Sequence, residues 1–194
     1  MVKFNPRKIY GSWSDGYVLD LHSTGSTYIG DNEFGHPQFE THRTEMGELL
    51  FRLKYRSDET AVNELVETAS SFIRKWAVKP SIIVAVPPTK AYRKLQPVAR
   101  LADGVGARLK IPVAHNAMRK QKQFAELKNV AEERRRLLHG AFDINASRVK
   151  GHRVLLVDDL YRSVATMNAI GEALQRSGAI AVFAFAFTQT RSRA

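Results

Sequence analysis

A chain of 194 residues, 44% hydrophobic and 25% charged, has the size and composition of one globular core, which excludes a disordered or fibrous protein. It has no cysteine, so disulfides, thiolate zinc sites and a cysteine nucleophile are excluded, and a reducing compartment is expected. Lysine and arginine outnumber aspartate and glutamate by 30 to 19, a formal charge of +11, which favours polyanionic partners such as nucleotide phosphates, diphosphates or nucleic acid; a solvated basic surface is the plainer alternative.

Met1 to Tyr10 lack the apolar run of a signal peptide, and no stretch approaches the ~20 apolar residues that span a bilayer. A cytoplasmic protein with no membrane partner is expected. Gly11 to Gly35 are rich in Gly, Ser, Thr and aromatic residues, and Tyr17, Leu19 and Leu21 alternate with Val18, Asp20 and His22. The spacing predicts a small strand-and-turn region over 1–43, in which Trp13, Tyr17, Tyr28 and Phe34 fill a small core. His22, His36 and His42 match no tight metal-ligand spacing and are expected to be hydrogen-bonded or surface residues.

From Thr44 the apolar period becomes helical, with Met46, Leu49, Leu50 and Leu53, then Val62, Leu65, Val66, Ala69, Phe72, Ile73 and Trp76, which predicts two amphipathic helices. Ser81 to Val86 read as a buried parallel strand ending at Pro87-Pro88. Pro97 opens a helix whose buried face is Val98, Leu101, Ala102, Val105 and Leu109, and Ile111 to Val113 offer a further strand. Gly104 and Gly106 fall inside that helical pattern and make a poor phosphate loop. Met118 to His139 are polar and basic, and predict a long mobile loop and a short helix. His152 to Val157 form a second buried strand, followed by a turn, a helix carrying Met167, Ile170 and Leu174 that stops at Gly178, and a last strand over Ala179 to Phe187. Strands alternating with helices predict an α/β fold over 44–194, a doubly wound, mainly parallel sheet with a small N-terminal appendage, whose ligand site lies along the edge where the strands end.

The strongest chemical signal is Val154-Leu-Leu-Val-Asp-Asp-Leu-Tyr-Arg-Ser-Val-Ala-Thr-Met167. Adjacent carboxylates at a strand end can accept hydrogen bonds from the vicinal hydroxyls of a ribose, and the next helix amino terminus offers free N–H groups to a phosphate, helped by Ser163 and Thr166. The alternatives are that Asp158 and Asp159 cap the helix, or bind a metal as paired acids do in other doubly wound folds.

This segment resembles the phosphoribosyl pyrophosphate (PRPP) motif of type I phosphoribosyltransferases, an apolar strand followed by Asp-Asp and a Thr/Ser-Gly-x-Thr turn. Ala125 to Phe142 resemble the segment before that strand in the ComF-like, competence-associated branch. The resemblance covers about Ser81 to Phe187. It implies that Asp158 and Asp159 are the catalytic acids, holding the ribose and stabilising positive charge on its ring while a nitrogen nucleophile displaces pyrophosphate. Arg162, Ser163, Val164, Ala165 and Thr166 would take the 5′-phosphate, Pro88, Thr89, Lys90 and Arg93 the pyrophosphate, and Arg119, Lys120 and Lys122 would belong to a flexible loop that closes over the reaction. Mg2+ would come with PRPP, bridging ligand oxygens without protein ligands of its own. A homodimer is a further implication.

Two positions depart from the family pattern. Val164 puts a β-branched side chain where the motif has glycine and the backbone approaches phosphate. The loop from Pro87 to Lys94 lacks the Arg-Gly-Phe-Asn-Gln run of ComF-like chains, although Lys90, Arg93 and Lys94 can supply charge. With the charge of +11, these departures keep open a rival from another class. In that reading a non-catalytic protein of this fold partners RNA, DNA or a protein in a nucleic-acid system, such as DNA uptake or retron reverse-transcriptase phage defence.

Overall fold

A computed structural model describes residues 1–88, 96–121 and 140–191 of the chain. Its centre is a five-stranded sheet in the order β1-β2-β9-β8-β5, made of β1 (Arg7–Lys8), β2 (Asp15–Leu21), β5 (Ile82–Ala85), β8 (Arg153–Tyr161) and β9 (Ala181–Gln189). The last four run parallel, and β1 closes one edge antiparallel to β2. Beyond β5, the 111–113 segment adds a single bridge, Ile83 to Val113, instead of a strand. Ile83 N–H donates to Pro112 O and Ala114 N–H to Ile83 O, but Pro112 has no N–H with which to extend a ladder.

The period of two along each strand builds two cores. Leu19, Ile83, Leu155, Val157, Phe183, Phe185 and Phe187 face helices α1 (Glu45–Arg56), α2 (Thr60–Lys75) and α3 (Pro97–Leu109). Val18, Val84, Val154, Leu156, Ala184 and Ala186 face α5 (Val164–Arg176), which buries Met167, Ile170 and Leu174. In β9 the phenylalanines therefore fill the three-helix side, and the alanines let α5 sit close to the sheet. Tyr17, Phe72, Trp76 and Phe183 join the first core edge to face, while Trp76 Nε1–H donates to Asp15 at 2.9 Å and ties the end of α2 to β2.

The amino-terminal region differs from the strand-and-turn unit expected over 1–43. Strand β2 lies inside the main sheet, because Val18 and Leu19 are both fully buried and each enters a different core. Only the hairpin of β3 (Ser23–Asp31) and β4 (Pro37–Arg43) stands apart. Trp13 is buried and Tyr17 packs on the first core, as a core role requires, but Tyr28 and Phe34 are exposed on the hairpin. Two short strands, β6 (Met118–Lys120) and β7 (Phe142–Ile144), pair antiparallel below α5, and the one-turn helix α4 (Ala146–Val149) leads into β8. Among the described residues no helix is long and apolar enough to cross a membrane.

Candidate ribose-phosphate site

Parallel pairing brings the ends of β2, β5, β8 and β9 to one edge, where α5 begins. Strand β8 does not stop at Val157. It runs through both acids to Tyr161, with Asp158 opposite Ala186, Leu160 opposite Thr188 and Tyr161 opposite Gln189. Asp158 and Asp159 are therefore strand residues rather than turn residues, and the connection to α5 shrinks to Arg162 and Ser163, both exposed.

Alternation along β8 then sends the two carboxylates to opposite faces of the sheet. Asp159 follows Leu155 and Val157 towards α1, where its Oδ1 lies 2.8 Å from Lys54 Nζ, with the two side chains 13% and 14% exposed. Asp158 follows Val154 and Leu156 towards α5. Its Oδ1 accepts the Asp159 N–H at 2.8 Å. Desolvation first, and repulsion from Asp159 second, push the Asp158 carboxyl up to about 7, well above the usual carboxylate range.

Lys54 is delivered by α1. Thr44 caps that helix, its Oγ1 accepting from Gly47 N–H and donating to Leu21 O at 2.6 Å. A Cβ on Gly47 would lie 1.9 Å from His22 O, so glycine is what lets α1 lean on the end of β2. On the other side of Asp159, buried Thr188 donates its hydroxyl to Asp159 O, and His22 Nδ1 lies 3.2 Å from the same hydroxyl. Burial holds the His22 imidazole below its ordinary pKa, and the positive charges of Lys54 and Arg43 add to the effect. His42 meets Thr27 at 2.7 Å, and among the described residues no group of three or more His, Asp or Glu is placed to hold a metal.

At the start of α5, Ser163 is extended and its hydroxyl makes no capping bond, and the first turn carries no acid. The N–H groups of Val164, Ala165 and Thr166 thus have no partner within the helix, at its positive end. Val164 occupies the first helical position with its side chain 45% exposed. Of the residues expected to bind pyrophosphate, Pro88 is exposed just past β5, whereas Thr89, Lys90 and Arg93 lie outside the described residues. Arg119 and Lys120 belong to strand β6, where they pair with Asp143 and Phe142, and Lys122 lies outside the described residues. Sequence reasoning missed Lys54, although a signal was present: Gly47, Leu50 and Lys54 share one helical face, so a lysine stands in the apolar stripe.

No family model and no curated protein sequence matches the chain. Solved structures do match. The adenine phosphoribosyltransferase of Saccharomyces cerevisiae superposes with a TM-score of 0.52 at 13% identity, over 86% of this chain and 83% of that one. The enzyme of the same name from Leishmania tarentolae superposes with a TM-score of 0.51 at 11% identity, over 95% and 94%. The chain also matches 36% of the length of the glutamine PRPP amidotransferase of B. subtilis, at 16% identity and a TM-score of 0.49. The fold is that of the type I phosphoribosyltransferases.

Proposed function

We propose that a chain of this fold uses the β8–α5 edge to bind a phosphorylated ribose, PRPP or a simpler ribose phosphate. The observation that carries this reading is the uncapped amino terminus of α5, reached from the acid-bearing strand β8 through only Arg162 and Ser163. Three N–H groups and the hydroxyls of Ser163 and Thr166 meet a 5′-phosphate there, with Arg162 exposed beside them. Asp158, separated from the connection by Asp159, Leu160 and Tyr161 of β8, is the acid left to bond a ribose hydroxyl, because Asp159 is already paired with Lys54. If the site turns over, a nitrogen lone pair forms the new bond at C1 as the C1–O bond to pyrophosphate breaks. The ionised form of Asp158 then stabilises the positive charge on the ring.

A divalent ion fits this donor set poorly, since Asp159 meets an ammonium group and one oxygen of Asp158 accepts a backbone N–H. The neutralised Asp159, the exposed Val164 and the charge of +11 favour a second reading, in which the fold binds its ligand without transfer and serves a nucleic-acid system. Assignment to the ComF-like branch rests on Ala125 to Phe142, most of which lie outside the described residues.

Calorimetric titration of PRPP and of ribose 5-phosphate into the wild type, into Asp158→Asn and into a Ser163→Ala, Thr166→Ala variant tests the reading. Saturable wild-type binding, weakened in both variants, is expected. Binding to the wild type that neither folded variant changes would place the ligand elsewhere.

A further inference from the structure

Lys54 is a mostly buried cation that the binding of ribose and phosphate does not by itself require. It lies at the sheet edge, 2.8 Å from Asp159 Oδ1, with little exposure on either side chain. Its place is fixed by the seat of α1 on His22 O and by Leu50 and Leu53, fully buried one turn before it and beside it. Arg43, Lys54 and Arg162 all stand close enough to His22 to oppose its protonation, and Asp159 is the carboxylate that favours it. This end of the sheet therefore holds the cations Arg43, Lys54 and Arg162 with the carboxylates Asp158 and Asp159, and Arg43 also meets Glu48 at 3.5 Å. A divalent ion brought to Asp159 would have to displace an ammonium from a largely dry pair, whereas a free phosphate monoester seated at the α5 terminus leaves that pair intact.

We infer that Lys54 stands in for a divalent cation at Asp159, so that this site takes a phosphorylated ribose as the free anion, of the ribose 5-phosphate or nucleoside monophosphate class, and needs no metal chelate. The inference rests on the ribose-phosphate reading above and narrows it. Lys54 supplies a fixed positive charge next to the sugar, Thr188 and Leu53 hold the pair in place, and the α5 terminus takes the phosphate.

The test is calorimetry of ribose 5-phosphate and of PRPP with the full chain, each with EDTA and again with excess Mg2+. Wild-type binding of ribose 5-phosphate in EDTA that Mg2+ does not strengthen is the expected result. Lys54→Met should weaken it by about 10- to 100-fold, the worth of one charge-assisted contact, Mg2+ should recover part of that loss, and Lys54→Arg should retain binding. Wild-type binding that appears only with Mg2+ would overturn the role of Lys54 while leaving the ribose-phosphate site intact, and this arm decides the matter even if Lys54→Met does not fold. A folded Lys54→Met that binds like the wild type in EDTA would overturn it as well. Failure of folded wild type to bind either ligand in both conditions would remove the site and the inference together.

Discussion

Two adjacent aspartates have different fates because a strand turns successive side chains to opposite faces. Asp159 gains a lysine and Asp158 gains desolvation and a like charge. The folded-state pKa of Asp158, about 7, lies above the unfolded value near 3.9. Its contribution to stability is therefore full below about pH 4 and is lost as the pH rises through about 7. Asp158→Asn should be near neutral for stability at about pH 4 and stabilising by roughly 2 kcal/mol at about pH 8, after discounting for its partial exposure. Urea unfolding of both proteins across that range checks it, and a difference independent of pH would contradict the raised pKa. The acid pair was legible as a site because of its company, an apolar strand before it and hydroxyl residues after it. Its split across the sheet was not, because two aspartates have low strand propensity and read as the start of a turn; only pairing with Thr188 and Gln189 of β9 draws β8 on to Tyr161.

The helices and buried strands were legible where apolar periodicity was strong. The spans of α1, α2, α3, α5, β5, β8 and β9 follow the pattern of Leu, Val, Ile and Phe, with differences of a few residues at their ends. What pattern alone could not settle is which short strand joins which sheet. Strand β2 entered the main sheet through two buried residues of opposite orientation, and β6 found β7 across some twenty residues of sequence, both being tertiary events. The hairpin of β3 and β4 rests little on either core, and its Tyr28–Phe39 pair, with ring centroids 5.7 Å apart, is exposed. A Tyr28→Ala, Phe39→Ala variant should lose less than about 1 kcal/mol of stability, whereas Leu53→Ala on α1, fully buried beside Lys54, should lose about 2–5 kcal/mol. Denaturant midpoints at constant slope read the contrast; comparable losses would mean that the hairpin carries a core of its own.

At the scale of the whole molecule, two cores share one sheet, and the chain carries a formal charge of +11 alongside the proposed anion site. The two readings of the protein separate by their response to salt. A polynucleotide held by the basic surface should lose affinity steeply, with a log–log slope of about −0.7 for each phosphate contacted on a single strand. A ribose phosphate held by the α5 terminus makes one local phosphate contact and should respond weakly over the same range. Steep loss for the polynucleotide with no ribose-phosphate binding at all would favour the nucleic-acid partner.

The most direct test of the ribose-phosphate site is an amide NMR titration of the labelled full chain with ribose 5-phosphate, following the backbone signals of Ser163 to Thr166. Saturable shifts centred on Val164, Ala165 and Thr166, with smaller ones at Asp158 and Asp159, are predicted. Shifts confined to another surface, such as the open groove between Arg7, Thr24 and Arg191, or no shifts in the folded protein, would contradict the account.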